Sequence, residues 1–345
     1  MSRAPTSLRR PWRAVTGVLV AGLTLAGCGT AISGTHVLGS PSRSISVPLR
    51  VVACTAANSC VAVGTSGSDV GPSSVGEFRR PNGTWVPLNV PAALSSVLGS
   101  AACWANACLV GGTQPAGDLL WTYDASTKSI SPAPTPRGGL GISALSCYSD
   151  QSCAAVDSTG IVGDSRLSFT SDGGATWTSP LPMKWSANDS ITSLSCSDAL
   201  DCLAAATGLD GRALVEVTHD GGGSWAARTL SADWNSLSSL TCVGLRCVGL
   251  ASSANGSSVE RTQSFGRGWS AIPLNARTNA LACTSFTLCV LVGQTNAQAP
   301  WLATLHHRAV TVASLRYVPS PLTSVACGTK VCAAIAVSTV LALRP

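Results

Sequence analysis

Short apolar stretches alternate with clusters of turn residues along most of this chain. Segments such as ISALSC, ITSLSC and LTSVAC lead into one cysteine, and segments such as CVAVG, CAAVD and CVLVG lead out of the next. Short runs of this kind bounded by Gly, Ser, Asn and Asp are typical of β-strands. After residue 30 no segment has the apolar period of an amphipathic helix. The pattern therefore predicts an all-β chain built from many short strands.

The cysteines give this strand pattern a period. Seven pairs follow one another, each pair encloses four or five residues, and successive first cysteines lie 49, 44, 49, 46, 41 and 44 residues apart. A period in the forties is typical of a propeller blade or of a helical repeat, and the strand-like flanks favour the blade. The pairs are Cys54/Cys60, Cys103/Cys108, Cys147/Cys153, Cys196/Cys202, Cys242/Cys247, Cys283/Cys289 and Cys327/Cys332.

Each pair is predicted to be a disulfide across the hairpin that joins the first two strands of a blade. Opposed residues on antiparallel strands have Cβ atoms about 4.5–5.5 Å apart, near the roughly 3.5–4.5 Å of a disulfide. Zinc is the alternative, but zinc ribbons need two pairs that converge, and each pair here is alone in its repeat. We expect disulfides and neither a metal nor another cofactor.

The chain is long enough for one closed ring of these units. Each repeat is interpreted as strand A, cysteine hairpin, strand B, loop, strand C, turn and strand D. After Cys332 there is room for only two more strands, so the last repeat is expected to take its fourth strand from residues 35–38. Closure of this kind removes an open sheet edge. The predicted fold over residues 36–345 is a seven-bladed β-propeller of four-stranded antiparallel blades, each with one disulfide-bridged A–B hairpin.

The N-terminus has the pattern of an export signal. Basic residues precede the apolar run AVTGVLVAGLTLAG, as in secretory signals. The run ends in Leu-Ala-Gly-Cys, which resembles a bacterial lipobox. The resemblance implies that residues 1–27 are a signal peptide, that Cys28 is lipidated, and that residues 28–35 tether the chain to a membrane. The alternatives are an ordinary signal peptide with a chance cysteine, an uncleaved membrane anchor and twin-arginine export.

The predicted cellular location and the net charge of the chain limit the classes of partner that it can bind. Disulfides persist outside the cytosol, so we expect a lipid-anchored protein on the extracytoplasmic side of the cell membrane. The formal charge of +6 includes four arginines of the predicted signal; without them 18 basic residues face 16 acidic ones. This balance, with no basic stripe, predicts no nucleic-acid partner. We expect a monomer whose partner is a protein or a glycan.

A second motif recurs in the predicted C–D turns. Residues 170–177 read TSDGGATW and residues 218–225 read THDGGGSW, while residues 262–269 and 78–85 are less complete copies. The motif resembles the Asp-box, or BNR, repeat of sialidase-like β-propellers, and the resemblance implies this fold. An Asp in such a turn accepts hydrogen bonds from its own backbone, and the Trp is expected to pack between blades. We therefore expect these aspartates to be structural.

Strand direction separates two faces. The A–B hairpins and C–D turns share one face, and the B–C and D–A loops share the other, which carries the active site in sialidase-like propellers. Trp185 and Trp234 are predicted on this second face, where they either form a platform for a glycan or peptide or cover the blade ends. The candidates for ligand contact are Trp185, Asn188, Asp189, Trp234, Asn235, Arg137 and Arg277, and the B–C loops add Asp157, Asp164, Asp210 and Asn255.

Catalysis is weakly supported. Sialidases need three arginines, a tyrosine paired with a glutamate, and an aspartate; here Glu77, Glu216 and Glu260 fall on predicted C strands and Tyr148 falls in a cysteine hairpin. The leading hypothesis is a non-catalytic module that binds or scaffolds a protein or a cell-envelope glycan. A glycoside hydrolase acting on surface glycans and an assembly factor for a membrane complex are the alternatives.

Overall fold

The computed structural model covers most of the predicted propeller. The predicted signal peptide, the lipidation site Cys28 and the tether lie outside the part of the chain that the structure describes. The described residues are 36–37, 49–66, 73–79, 84–90, 97–158, 164–183, 190–208, 210–313, 315, 318, 320–337 and 339–344. Within these ranges no helix has the length and hydropathy needed to cross a membrane.

The strands form four-stranded antiparallel sheets, and six of these sheets are complete blades of consecutive strands. The all-β prediction and the A-B-C-D strand order are therefore confirmed. The blades are blade 1 (β2 Leu49–Cys54, β3 Cys60–Ser66, β4 Ser73–Arg79, β5 Trp85–Leu88), blade 2 (β6 Val97–Cys103, β7 Ala107–Gln114, β8 Gly117–Asp124, β9 Ser129–Pro132), blade 3 (β10 Gly141–Ser149, β11 Ser152–Ser158, β12 Ser165–Thr170, β13 Leu181–Pro182), blade 4 (β14 Ser190–Cys196, β15 Cys202–Thr207, β16 Ala213–Thr218, β17 Ala226–Arg228), blade 5 (β18 Ser236–Val243, β19 Arg246–Ser253, β20 Gly256–Thr262, β21 Ser270–Leu274) and blade 6 (β22 Arg277–Ser285, β23 Leu288–Gln294, β24 Pro300–His306, β25 Ala309–Ala313).

One further sheet joins the two ends of the described chain, and we call it the closing sheet. It consists of β26 (Ser324–Cys327), β27 (Cys332–Ala336), β28 (Thr339–Arg344) and β1 (His36–Val37), and β1 pairs antiparallel with β28. The predicted pairing of residues 35–38 with the last strand is thus confirmed at its centre.

The prediction of seven like blades is wrong. The chain builds six complete blades, whereas the closing sheet is a composite of both chain ends with a two-residue outer strand. The reason is that only two strands follow the last cysteine hairpin, so consecutive pairing cannot supply the fourth strand. Blade 1 packs on this sheet, where Leu49 and Val52 share an apolar cluster with Ile335 and Val340, and the ring is closed.

The predicted disulfides are confirmed. In every pair the first cysteine ends or nearly ends an A strand, the second begins or nearly begins a B strand, and the two stand opposite each other in the register. The bonds are Cys54–Cys60, Cys103–Cys108, Cys147–Cys153, Cys196–Cys202, Cys242–Cys247, Cys283–Cys289 and Cys327–Cys332.

Serine hydroxyls join neighbouring A strands around the axis. The hydroxyl of Ser146 accepts a hydrogen bond from the Cys196 amide at 2.9 Å, and Ser193 and Ser195 of blade 4 accept from amides of blade 5 at the same distance. Small side chains let the inner strands approach closely, and each bond satisfies a backbone donor that would otherwise be unpaired. The A strands therefore fix the position of one blade relative to the next.

Candidate binding surfaces

We call the side of the ring with the A–B hairpins and C–D turns the cysteine face. The side with the B–C and D–A loops is the loop face. Antiparallel strand order places these connections on opposite sides, so every candidate residue can be assigned to one face by its position along a strand.

The two complete Asp-box motifs are closed hydrogen-bond networks on the cysteine face. Asp220 accepts from the Thr218 hydroxyl at 2.8 Å, from the Ser224 amide at 2.9 Å and from the Ser224 hydroxyl at 2.6 Å. The same bonds surround Asp172. These bonds favour the ionised carboxylate and lower the pKa of each aspartate to about 2. Both carboxylates hold their own turns together, as a structural role requires.

The motif also locks each turn onto the preceding blade. Gly222, in the left-handed region with φ of 92°, lies against Leu167 of blade 3, and Trp225 packs in the apolar cluster between blades 3 and 4. Trp177 packs in the corresponding cluster between blades 2 and 3 and donates its indole hydrogen to the Pro134 carbonyl at 2.9 Å. The expected packing of these tryptophans between blades is confirmed.

On the loop face, the D–A loop before blade 5 places two predicted contact residues side by side. Trp234 is partly buried, packs in the cluster between blades 4 and 5, and donates its indole hydrogen to Glu260 at 2.8 Å. Asn235 is exposed, and its amide donates to the Gly211 carbonyl at 2.9 Å. For Trp234 this placement favours the role of filling the groove at a blade end over that of a ligand platform.

The other predicted contact residues of this face lie on separate blades. Arg137 is exposed in the D–A loop before blade 3, and Arg277 is exposed at the start of blade 6. In the B–C loops, Asp210 pairs with Arg212 at 3.7 Å and Asn255 sits in an exposed turn. Trp185, Asn188 and Asp189 lie outside the described residues.

Two carboxyl groups are buried between blades 2 and 3. Asp157 is 1% exposed and Asp118 is 8% exposed, and neither makes a hydrogen bond of good geometry with its carboxylate oxygens. The loop that leads into blade 3 covers them, since a side chain added at Gly139 would collide with Asp118. Sequence reasoning identified Asp157 from its loop position but missed Asp118, which has no motif around it.

Burial controls the titration of this pair. It raises the pKa of Asp157 to about 7, with a further rise from the charge of Asp118 and an opposing effect of Arg166. It raises the pKa of Asp118 to about 6, although the amides of Gly139 and Gly141 lower it. Both carboxyl groups are buried, so their titration should affect the stability of the fold.

The central channel is lined by A strands from all six blades and the closing sheet. Its cavity volume is about 420 Å³, and Arg50 of β2 is the charged residue in its described lining. Most of the remaining lining is backbone with Ala, Ser and Thr side chains. The described residues contain no group of three or more His, Cys, Asp or Glu side chains able to hold a metal ion.

The cysteine face carries a groove between blades 5 and 6, which we call the basic groove. It has a volume of about 590 Å³ and is lined by Val243, Leu245, Arg246, Gln263 and residues 284–287. Val243 and Leu245 expose 61% and 59% of their surface. Both stand on the A–B hairpin of blade 5, whose disulfide holds it in place without help from these two side chains.

Phe286 forms the aromatic part of the groove, and arginines surround it. The guanidinium carbon of Arg261 lies 4.1 Å from the ring centre and that of Arg246 lies 5.6 Å from it, within the range of cation–π contacts. Arg261 also donates to the carbonyls of His307 at 2.6 Å and of Phe286 at 2.9 Å. The positive charge of nearby Arg308 adds to burial in lowering the pKa of Arg261.

Charge is distributed unevenly around the ring. Residues 141–235, which include blades 3 and 4, hold 11 acidic and four basic residues. Residues 236–345, which include blades 5 and 6, hold one acidic and eight basic residues, and that single acid, Glu260, is fully buried. The near balance of the whole chain conceals this asymmetry, so sequence analysis missed it.

Ring closure, radial four-stranded sheets and an axial channel define the chain as a β-propeller. Solved structures of other proteins share this fold with the chain. A structure of YCF48 bound to D1 peptide is 13% identical, covers 90% of this chain and 96% of its own, and has a TM-score of 0.62. Virginiamycin B lyase from Staphylococcus aureus is 9% identical, with coverages of 90% and 99% and a TM-score of 0.64. The WD40 propeller domain of Doa1 is 10% identical, with coverages of 89% and 96% and a TM-score of 0.59.

At such low identities the likeness shows the fold alone. No family model matches the chain, and no curated protein matches it. Function therefore has to be argued from the surfaces described above.

Proposed function

We propose that this β-propeller is a non-catalytic module that binds a protein partner at the basic groove. The observation that carries the proposal is the exposure of Val243 and Leu245 beside Phe286. Exposed apolar side chains grouped in one place are typical of interaction sites, and aromatic and arginine side chains are enriched among the residues that dominate binding.

The scaffold suits such a role. Both hairpins that border the groove are closed by disulfides, Cys242–Cys247 and Cys283–Cys289. A site held rigid before binding loses less conformational entropy when a partner arrives. The structure of YCF48 bound to D1 peptide supports the idea that a propeller of this fold serves as a peptide-binding surface.

The proposal includes a location. The lipobox resemblance supports removal of residues 1–27, lipidation of Cys28 and display of the propeller on the extracytoplasmic side of a membrane. The Asp-box resemblance supports a non-catalytic relative of sialidase-like propellers. Labelling cells with a fatty-acid analogue should mark the wild-type protein and not Cys28→Ala; label that persists in the variant would contradict the anchor.

The loop face is proposed as a second contact surface, for a protein or a cell-envelope glycan. Its residues are those predicted from sequence other than Trp234, which fills the groove at a blade end: Trp185, Asn188, Asp189, Asn235, Arg137 and Arg277. Binding of the protein to a panel of envelope glycans, lost in Arg137→Ala or Asn235→Ala, would support this second surface. Glycan binding that is unaffected by either substitution would contradict it.

The groove is tested by a matched pair of variants. Val243→Ser with Leu245→Ser should abolish recovery of the partner in cross-linking pull-downs from the native envelope. Leu200→Ser should not, because Leu200 is equally exposed on the cysteine face at 58% but belongs to blade 4. Equal loss in both variants, or loss in neither, would contradict the proposal. A partner with membrane-spanning segments would make the propeller an assembly factor, and a soluble partner would make it a scaffold.

A further inference from the structure

We infer that the basic groove binds an acidic polypeptide segment that also carries apolar side chains. The inference rests on the proposed function, since it names the chemistry of the partner at the same groove. It joins two observations: an apolar and aromatic floor, and arginines around that floor that no carboxylate among the described residues neutralises.

The exposed arginines near the groove have no acidic partner among the described residues. Arg246, Arg267 and Arg308 are exposed on the cysteine face of blades 5 and 6, and among the described residues none of them forms an ion pair. The only carboxylate of these two blades, Glu260, is buried and accepts hydrogen bonds from Ser231 at 2.5 Å and from Trp234 at 2.8 Å. This part of the ring therefore offers positive charge that no ion pair among the described residues balances.

Arginine contacts fix the geometry of the groove floor at Phe286. Arg261 is held by two carbonyls and stacks on Phe286, so it fixes the aromatic ring. Arg246 reaches over the same ring from the hairpin of blade 5, and Arg308 follows His307 of the C–D turn of blade 6, whose carbonyl accepts a hydrogen bond from Arg261. Two exposed arginines thus lie next to one apolar floor. Arginine is suited to carboxylates because its planar fork makes paired hydrogen bonds to them.

The volume of the basic groove indicates the size of its ligand. The groove volume of about 590 Å³ lies within the roughly 300–1,000 Å³ of ligand-binding clefts. A small anion would satisfy the arginines and leave Val243 and Leu245 exposed to water. A segment that alternates acidic and apolar side chains would cover both kinds of surface. Extended segments of this kind are bound by many recognition modules.

The first test measures the charge preference directly. Three synthetic peptides of one length carry Leu and Phe at the same positions and Glu, Gln or Lys between them. The full chain should bind the Glu peptide best, and added salt should weaken this binding because salt screens exposed charges. Equal binding of the Gln peptide, or preference for the Lys peptide, would overturn the inference.

Charge reversals locate the site of that preference. Arg246→Glu and Arg308→Glu should each weaken binding of the Glu peptide about tenfold. Arg212→Glu makes the same change in net charge at an exposed position on the loop face of blade 4, and should change binding less than about twofold. Equal weakening by Arg212→Glu would place the peptide elsewhere and overturn the inference.

Site-specific photocross-linking separates this inference from the proposed function. A photoreactive residue in place of Leu245 should cross-link, in the native envelope, to a segment rich in Asp and Glu when the captured peptide is sequenced. A neutral or basic segment would overturn the acidic preference and leave the groove as a protein-binding site. Cross-links to residues 141–235 of a second copy, or to lipid, would overturn both.

Discussion

Two pairs of neighbouring blades join strands C and D by turns of opposite charge. In blades 3 and 4 the turn is closed by Asp172 and Asp220, each of which accepts three hydrogen bonds. In blade 5 the corresponding position is Ser264, whose hydroxyl donates to the Arg267 carbonyl at 2.6 Å. In blade 6 the turn carries Arg308. The fold therefore tolerates either sign of charge at this place.

The turn of blade 5 shows how the aspartate is replaced. Phe265 has φ of 48°, in the left-handed region where blades 3 and 4 have glycine. Its side chain is buried in the cluster between blades 4 and 5 and lies 5.7 Å from the ring of His219, centre to centre. Apolar burial here offsets the lost hydrogen bonds. Turn closure and turn charge are thus separate properties, and only the second differs around the ring.

The largest effect should come from breaking an acidic turn at its glycine. Gly222→Ala should destabilise the protein by about 3 kcal/mol, since alanine disfavours positive φ and its Cβ would stand 2.9 Å from Leu167. Gly268→Ala in blade 5 should cost only about 1 kcal/mol, because its positive φ of 64° is in open space. Denaturant unfolding measures both, and equal losses would contradict the role of blade contact.

The buried carboxyl group of Asp157 in blade 3 should make the stability of the fold depend on pH. The pKa of Asp157 in the folded protein, about 7, exceeds the ordinary 3.8, so the folded state binds more protons than the unfolded chain between these values. Unfolding free energy should therefore fall as pH rises from about 4 through 7. At pH 8, Asp157→Asn should be more stable than wild type by roughly 2 kcal/mol.

Denaturant unfolding at a series of pH values measures this dependence. Asp150→Asn, at an exposed position of the same blade, should leave the wild-type slope unchanged. An unchanged slope in Asp157→Asn would contradict the assignment.

The Asp-box carboxylates should give the opposite dependence in acid. Their pKa of about 2 lies below the ordinary 3.8, so their contribution is present above about pH 4 and is lost as pH falls toward 2. Thermal unfolding should show a falling melting temperature over this range, with a smaller fall in Asp220→Asn. Ser264→Ala in blade 5 should keep the wild-type acid response; a flattened response there would contradict the distinction between the turns.

The smallest effect should come from giving blade 5 an acidic turn. Ser264→Asp should change unfolding free energy by less than about 0.5 kcal/mol, as expected of an exposed position. It should weaken binding of the Glu peptide about threefold, because a carboxylate would stand near Arg267. Asn255→Asp adds the same charge to this blade on the loop face and should leave peptide binding unchanged. Equal weakening by both would contradict a site on the cysteine face.

Much of the fold follows from local chemistry that the sequence exposes. Cysteines five or six positions apart between strand-like runs predicted every hairpin, and the shortage of strands after Cys332 predicted the pairing of β1 with β28. The prediction that all seven repeats form like blades was wrong, because a count of cysteine pairs says nothing about where the outer strand of each sheet originates.

The surfaces were harder to predict because they depend on which side chains meet. Trp234 is an aromatic residue beside polar ones in sequence, yet its indole is bound to Glu260, a partner 26 positions away. Asp118 and Asp157 converge from different blades, and the two arginines that contact Phe286 of blade 6 both come from blade 5. No local pattern marks such meetings. The charge asymmetry was present in the sequence but appears only when residues are counted blade by blade.

The spacing of the disulfide partners has a consequence for biogenesis. Every partner is the nearest cysteine along the chain, only five or six positions away, and contacts between such close positions form faster than long-range ones. A chain threaded N-terminus first into an oxidising compartment would expose both partners of a bridge before the following pair emerged. Oxidative maturation could then proceed vectorially, with little demand for an isomerase to correct mispaired thiols.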